Sequence, residues 1–560
     1  MNNTFPDSTE QHFDTLIIGS GVGGLSAAIC LSRAGQKVLV LEQHDVPGGW
    51  CHSFYLNGHR FTPGVHYVGL LEKGQSTALL YEALGIANEV SFFRMNPSGY
   101  EHAYIGDERF DFPGNFDDLV ASLIEKFPKE EKNIVKYLNL VKNVSAELQL
   151  LPNVEGFWQH LTIPFRTKNM GKYALFSLKR VIDWHIKDPL LKKILNIQFG
   201  DHGLAPAKAS FPLHCAVMDH YFNGGFYPCG GGAAIVKAMT NALKKNNGTL
   251  KTQQRVRKII IEGERRKTAV GVELESGEKL FANRIISNAD PNTTYQKLIG
   301  EENLSKKLRK KLAKTTYSCT SLMLFLTVDM DLKAAGMDSG NIWIMPNEDM
   351  DVVYERMMMP DVTNDAAFEG MFISCTTLKD PSSFDGKHHS IEAITYLDYK
   401  IFEQFKNERE TRSKKYLQFK ELLTEKMIKT LEKVLPDVRE HIVHKELGTP
   451  ITNEYYINTT KGSVYGTEKK LTQIGPFAYK AKSEIKNLYL CGASIVSHGV
   501  AGAGYSGLQT AGEILKKKQT EILETDGKQS IKIFEAEDSS EYPDWVQNKI
   551  SSKKRRIAEK

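Results

Sequence analysis

Apolar residues along this chain fall into short continuous runs and longer stretches of helical period. Phe13-Asp14-Thr15-Leu16-Ile17-Ile18 predicts a buried strand, Leu25 to Ala34 a helix stopped by Gly35, and Lys37-Val38-Leu39-Val40-Leu41 a second buried strand. Residues 76–213 have a largely helical pattern. A helix ending near Asn246 precedes a strand over Gln254–Ile260, a hairpin through Gly271–Leu274 and Ser276–Glu278, and a strand through Arg284–Ser287. Further strands are expected over Leu322–Val328, Gly370–Ser374 and Ile391–Leu397, then a long charged helix over Glu408–Leu435. A strand at Asn487–Leu490 and a helix over Tyr505–Lys516 close the pattern. Strands alternating with helices predict an α/β fold.

Two stretches bear on membranes. Thr15 to Gly35 is mostly apolar or small, but five glycines and Arg33 make it a turn-rich βα unit and not a span. Over Lys172–Lys187, Leu175, Leu178, Val181, Ile182 and Ile186 share one arc, opposite Lys172, Lys179, Arg180 and Lys187, with Phe176 and Trp184 flanking. Core packing with a solvated basic face is the plainer interpretation, and peripheral contact with an anionic membrane the sharper one. Ser551-Ser552-Lys553-Lys554-Arg555-Arg556 is expected to be a disordered polar tail, with weak membrane attraction as its alternative.

A chain of 560 residues supports two or more domains. Its net charge of +5 is small for that length, and no nucleic-acid-binding motif is present, so no nucleic-acid partner is expected. The seven cysteines are scattered and never spaced as CxxC, which argues for free thiols in a reducing compartment, the cytoplasm, and against a metal site. The first dozen residues have neither a basic nor an apolar region of a secretory leader.

Between the first two strands lies Gly19-Ser20-Gly21-Val22-Gly23-Gly24, and Glu42 ends the second strand. Gly19 permits a tight turn, Gly21 lets backbone approach a pyrophosphate, and Gly24 lets the helix pack on the sheet. The helix N-terminus offers free N–H groups to phosphates, and Glu42 can accept hydrogen bonds from a ribose. Strand, fingerprint, helix, strand and acid in this order predict a Rossmann-type dinucleotide site. Pro47-Gly48-Gly49-Trp50-Cys51-His52-Ser53-Phe54, and then Gly64-Val65-His66-Tyr67, add a glycine pair after the acid that resembles the second signature of two-dinucleotide-domain flavoproteins, a resemblance that implies FAD. Gly230-Gly231-Gly232 follows an aromatic-rich segment and lacks an acidic ribose partner, so no separate NAD(P) domain is predicted. Gly492-Ala493-Ser494 and Gly499-Val500-Ala501-Gly502-Ala503-Gly504 would bring backbone N–H groups and a helix dipole to a flat ring.

Together with His220-Tyr221, Gly224-Gly225-Phe226-Tyr227-Pro228, Ile286-Ser287-Asn288-Ala289, Thr452-Asn453 and Gly462-Ser463-Val464-Tyr465-Gly466, these segments resemble the carotenoid desaturase and isomerase (phytoene dehydrogenase-like) superfamily of flavoproteins. Within it they are similar to the retinol saturase branch, the all-trans-retinol 13,14-reductases, and its bacterial relatives. The resemblance extends in patches from about Asp14 to Leu515. It implies non-covalent FAD, an apolar isoprenoid or polyene substrate, and saturation, desaturation or cis/trans isomerisation of a carbon–carbon double bond. A prenyl-binding protein without FAD and an amine oxidase are more distant alternatives. Trp50 stands where related flavoproteins often have arginine, and Ala493-Ser494 where many have an aspartate.

The expected architecture is a discontinuous FAD-binding domain (residues 1–75, 214–315 and 475–518), an inserted α+β substrate domain with a helical lid (76–213 and 316–474), and a charged tail (519–560). Expected cofactor contacts are Gly19, Gly21, Val22, Gly23, Gly24, Glu42, Gln43, Gly48, Gly49, Trp50, Ser53, Gly64, Val65, His66, Val256, Asn288, Gly492, Ala493, Ser494, Val500, Ala501 and Gly502. His66 and Tyr67 are the candidate catalytic residues, either as a proton source or as wall, with His498 a weaker one. Nicotinamide, as transient NAD(P), a quinone or another flavoprotein remain open as electron partner, and oligomeric state is open.

Overall fold

The computed structural model describes residues 12–150, 163, 165–408 and 412–558; the stretch read for a leader lies almost wholly outside them. Its first sheet runs Val256–Glu262, Thr268–Leu274, Lys279–Ser287, His12–Ile18, Val38–Leu41, Thr249–Lys251, with Leu488–Leu490 paired to the end of Lys279–Ser287. The strands from Leu488–Leu490 across to Thr249–Lys251 are parallel, and the hairpin joins antiparallel at the other end. Strands buried on both faces read as unbroken apolar runs, which is why Leu16-Ile17-Ile18 and Val38-Leu39-Val40-Leu41 were legible. Helices Val22–Arg33 and Gly499–Leu515 cross so closely that a Cβ on Gly507 would lie 2.2 Å from the Gly23 carbonyl oxygen. Helix Ser76–Leu84 joins this core through Leu80, Tyr81 and Leu84, so the first unit extends past residue 75.

The second sheet runs Ile442–Gly448, Thr320–Val328, His389–Leu397, Met371–Cys375, Asn341–Met345, Glu101–Ile105, Glu108–Phe112. Alternation along Thr320–Val328 sends Met323 and Phe325 to one core and Leu322, Leu324 and Leu326 to the other. Helices from residues 116–220 cover the first face, and Lys414–Leu431 covers the second through Leu423, Met427 and Leu431. The block 76–213, expected to be largely helical, therefore supplies two strands of this sheet and Ser91–Arg94 of a third.

Three expectations are corrected. Lys172–Lys187 is not one amphipathic helix but parts of two, Lys168–Tyr173 and Leu178–His185, separated at Ser177, which bridges to Ser210. Leu178, Val181, Ile182 and Ile186 are core, while Leu175 and Trp184 are exposed. The closing helix starts at Gly499, not Tyr505, so the glycines form its first turns. The C-terminal segment is folded: Lys532–Glu535 pairs in parallel with Ser91–Arg94, and Val546 and Ala536 bury against Phe93. Helix Asp544–Ala558 takes in the expected tail, and Lys553 Nζ donates to the Ser382 and Ser383 carbonyls at 3.0 and 2.9 Å. Apolar side chains every few residues (Ile533, Phe534, Val546, Ile550) outweigh the charge of this segment. All seven cysteines are free, six of them buried.

His102, on the second sheet, contacts Asp111 through Nδ1 at 2.6 Å and Asp338 through Nε2 at 2.9 Å. Burial works against the imidazolium, but the hydrogen bonds to the two carboxylates win and push its pKa up to about 9. The folded-state value lies above the unfolded one, so this stabilisation is complete below pH about 6.5 and lost as pH rises through about 9. After a discount for the exposure of Asp111 it amounts to about 2–3 kcal/mol. Urea unfolding of the parent and His102→Gln should differ by that amount at pH 6 and converge by pH 10; a gap that does not close with pH would refute the assignment.

Candidate functional site

Residues of both sheets line a cavity of about 460 Å³. One end is the fingerprint turn. Glu42 is buried at the end of its strand, where Oε2 accepts from Ser20 N (3.0 Å) and Ser20 Oγ (2.5 Å) and Oε1 accepts from His44 N (3.0 Å). Those bonds aim the carboxylate, and three acceptances leave it a free lone pair. Gly48 has φ +121°, a conformation closed to L side chains, and its N–H donates to Ser20 Oγ at 3.1 Å, which pins the glycine pair against the turn.

Of the sequence-predicted residues, Gly19, Gly21, Val22, Gly23, Glu42, Gln43, Gly48, Gly49, Trp50, Gly64, His66, Tyr67, Val256, Asn288, Gly492, Ala493, Ser494, His498, Val500, Ala501 and Gly502 line this cavity. Gly24, Ser53 and Val65 do not. Gly24 packs against the Gly19 carbonyl, Ser53 Oγ accepts from Ala233 N (3.1 Å) and meets Thr62 Oγ1 (3.0 Å), and Val65 is core. Their parts are structural.

Helices Val22–Arg33 and Gly499–Leu515 both begin at this cavity without a side-chain cap and without an acidic residue in the first turn. Two uncapped N-termini at one cavity suit a ligand that brings negative charge to two places. Among the described residues, Trp50 Nε1 and His498 Nδ1 are buried in the cavity wall without a hydrogen-bond partner. Glycine backbone, uncapped N–H groups and the Glu42 carboxylate fit the pyrophosphate, flavin and ribose of FAD.

The other end is aromatic and apolar: Tyr221, Met323, Trp343, Phe372, Ile394, Tyr396 and Tyr465. The Tyr67 and Tyr221 rings stack with centroids 4.2 Å apart. His66 Nδ1 lies 3.2 Å from Glu392 Oε2, although neither atom finds hydrogen-bond geometry. The His66 carbonyl is held by Lys379 Nζ at 2.8 Å. His498 Nε2 donates to the Asp201 carbonyl at 2.6 Å, and burial pushes its pKa down to about 3. Lys469, also buried, donates to the Ala493 carbonyl at 2.6 Å, and burial lowers its pKa to about 8.

Sequence reasoning missed Asp201, Trp343, Phe372 and Tyr396, which no local motif marks. It also missed the group at Tyr67, whose hydroxyl lies 2.5 Å from Glu101 Oε1 and 2.8 Å from Asp201 Oδ2. The partly buried set His59, Asp385 and His388 places three potential ligand atoms within 4.8 Å of one another, where no metal was expected. Asp385 there is already engaged, accepting from Lys387 N (2.9 Å) and His388 N (2.7 Å).

Residues 22–329, more than half of the chain, match the family described as flavin containing amine oxidoreductase. All-trans-retinol 13,14-reductase of Danio rerio is 28% identical over 535 residues, covering 91% of this chain and 87% of that protein. A chloroplastic prolycopene isomerase of an Oncidium hybrid cultivar is 27% identical over 522 residues, covering 90% and 83%. Putrescine oxidase bound to putrescine superimposes with a TM-score of 0.60 at 16% identity, over 90% of this chain and all of that one. No described helix is long and apolar enough to cross a membrane.

Proposed function

The chain belongs to the flavin containing amine oxidoreductase family and is an FAD-dependent oxidoreductase, and on that premise we propose that it saturates a carbon–carbon double bond of a retinoid- or carotenoid-like polyene. The observation that carries this is one cavity with two chemistries, a glycine-lined polar end and an aromatic, apolar end. A polyene has neither charge nor hydrogen-bonding chain, so such a wall suits it.

FAD supplies hydride chemistry when bound. The N–H groups at the helix starts Val22 and Gly499 would donate to its negatively charged parts, Glu42 would accept from a ribose hydroxyl, and the Gly48–Gly49 backbone would leave room for it. Trp343, Phe372 and Tyr396 orient the chain of the substrate and exclude water. NAD(P) as a transient electron donor is part of this proposal. So is a cytoplasmic enzyme resting peripherally on a lipid surface, which is supported by exposed Leu175 and Trp184 beside Arg180.

The alternative is flavin-dependent cis/trans isomerisation, favoured by the likeness to prolycopene isomerase. Incubation with all-trans-retinol or a carotenoid and a reductant decides between them. We expect a product two hydrogens heavier. An unchanged mass with altered geometry would support isomerisation, and an inert holoenzyme would sink both.

A further inference from the structure

We propose that Asp201 is the acid of this enzyme, delivering a proton to one polyene carbon while hydride from reduced FAD reaches the other. This rests on the saturase proposal above but starts from a hydrogen count. The Tyr67 hydroxyl is 2.5 Å from Glu101 Oε1 and 2.8 Å from Asp201 Oδ2, and it carries one hydrogen. It can donate to only one carboxyl. The other contact must be made by a carboxylic acid donating to the tyrosine oxygen.

The remaining partners decide which acid keeps the proton. Glu101 is fully buried; its Oε1 accepts from Trp343 Nε1 at 3.0 Å and its Oε2 from Gln198 Nε2 at 2.9 Å. Burial raises its pKa, and those donors oppose the rise by favouring the carboxylate. Asp201 has no such donors; among the described residues its only side-chain hydrogen bond is to Tyr67. The proton therefore sits on Asp201, which donates to Tyr67, which donates to Glu101. Burial, and then the charge of Glu101, raise the Asp201 pKa, in agreement with this count.

Asp201 is also placed for chemistry. It lines the cavity, and its carbonyl accepts from His498, the residue immediately before helix Gly499–Leu515. The acid is thus tied to the helix start proposed for the flavin. In the step, the π bond breaks, one carbon gains hydride and the other gains the Asp201 proton. Asp201 is left as a carboxylate and is re-protonated from solvent when product leaves. Tyr67, a catalytic candidate from sequence, becomes a positioning residue.

The test is the FAD-loaded Asp201→Asn protein, with Asp201→Glu as the acid-retaining control. Infrared difference spectra without substrate should show a protonated-carboxyl stretch in the parent that is absent from Asp201→Asn. With polyene and reductant, Asp201→Asn should turn over at least about 100-fold more slowly, FAD affinity should stay within about twofold, and Asp201→Glu should recover part of the rate. A carboxyl band that persists in Asp201→Asn, or turnover within threefold of the parent, would overturn the proposal. A parent inert toward polyenes would instead sink the saturase proposal, and the infrared band would still report whether Asp201 is protonated.

Discussion

Gly24→Val protein is expected to purify without the yellow flavin absorbance and to bind added FAD at least about 100-fold more weakly than the parent, a loss of about 3 kcal/mol. A Cβ on Gly24 would stand 2.3 Å from the Gly19 carbonyl oxygen and 3.3 Å from Asn288 Cβ. Both neighbours are fixed: Gly19 N–H donates to the Leu41 carbonyl at 2.8 Å, and Asn288 N–H to the Ile18 carbonyl at 2.9 Å. The helix must therefore lift from the sheet, carrying with it the uncapped N–H groups at Val22 that face the cavity. Overpacking of this kind costs about 1–3 kcal/mol of stability. A folded but colourless protein is thus the expected result, read by circular dichroism beside absorbance titration with FAD. Gly171→Ala is the control, because an added Cβ there meets nothing within 4 Å. Parent-like FAD affinity in Gly24→Val would show that the fingerprint helix does not hold the cofactor.

What could be read from the sequence was local. The fingerprint, its flanking strands and Glu42 lie within about thirty residues, each with its own stereochemical requirement. Strands Thr320–Val328 and His389–Leu397 were legible because both faces are buried and their apolar runs are long. The hairpin Glu101–Ile105 to Glu108–Phe112 was missed amid helical neighbours, although Gly106-Asp107 between two alternating segments is a turn signal. The start of helix Gly499–Leu515 was placed late because glycine opposes helix on propensity alone. Close packing of Gly502 on Ser497 and of Gly504 on Leu80 overrides that preference. Asp201 could not have been found this way. It sits in a short 3-10 stretch, Ile197–His202, and its meaning comes from Tyr67 and Glu101, both about a hundred or more residues away in the chain.

Lys379→Met should lower the unfolding free energy by about 3–5 kcal/mol, the usual result of removing one member of a buried polar set. Lys379 is fully buried, and its Nζ donates to the His66 carbonyl at 2.8 Å, to Ser374 Oγ at 2.6 Å and to Asn341 Oδ1. Methionine fills much the same volume but leaves three acceptors without a donor, one of them on the cavity-lining segment that carries His66 and Tyr67. The pH dependence gives a sharper test than the size of the effect. Burial pushes the ammonium pKa down to about 7, with the charge of Glu392 the largest opposing influence. Between about pH 7 and the unfolded value of 10.5, the unfolded chain holds a proton that the folded one has released. Parent stability therefore gains relative to Lys379→Met as pH rises through that window, by at most about 1.4 kcal/mol per unit. This sign is opposite to that of His102, whose contribution falls as pH rises through about 9. Urea unfolding of both proteins at pH 7 and pH 9.5 measures it. A gap that narrows toward pH 9.5 would mean that the buried lysine stays charged and that its attraction to Glu392 outweighs the cost of burial.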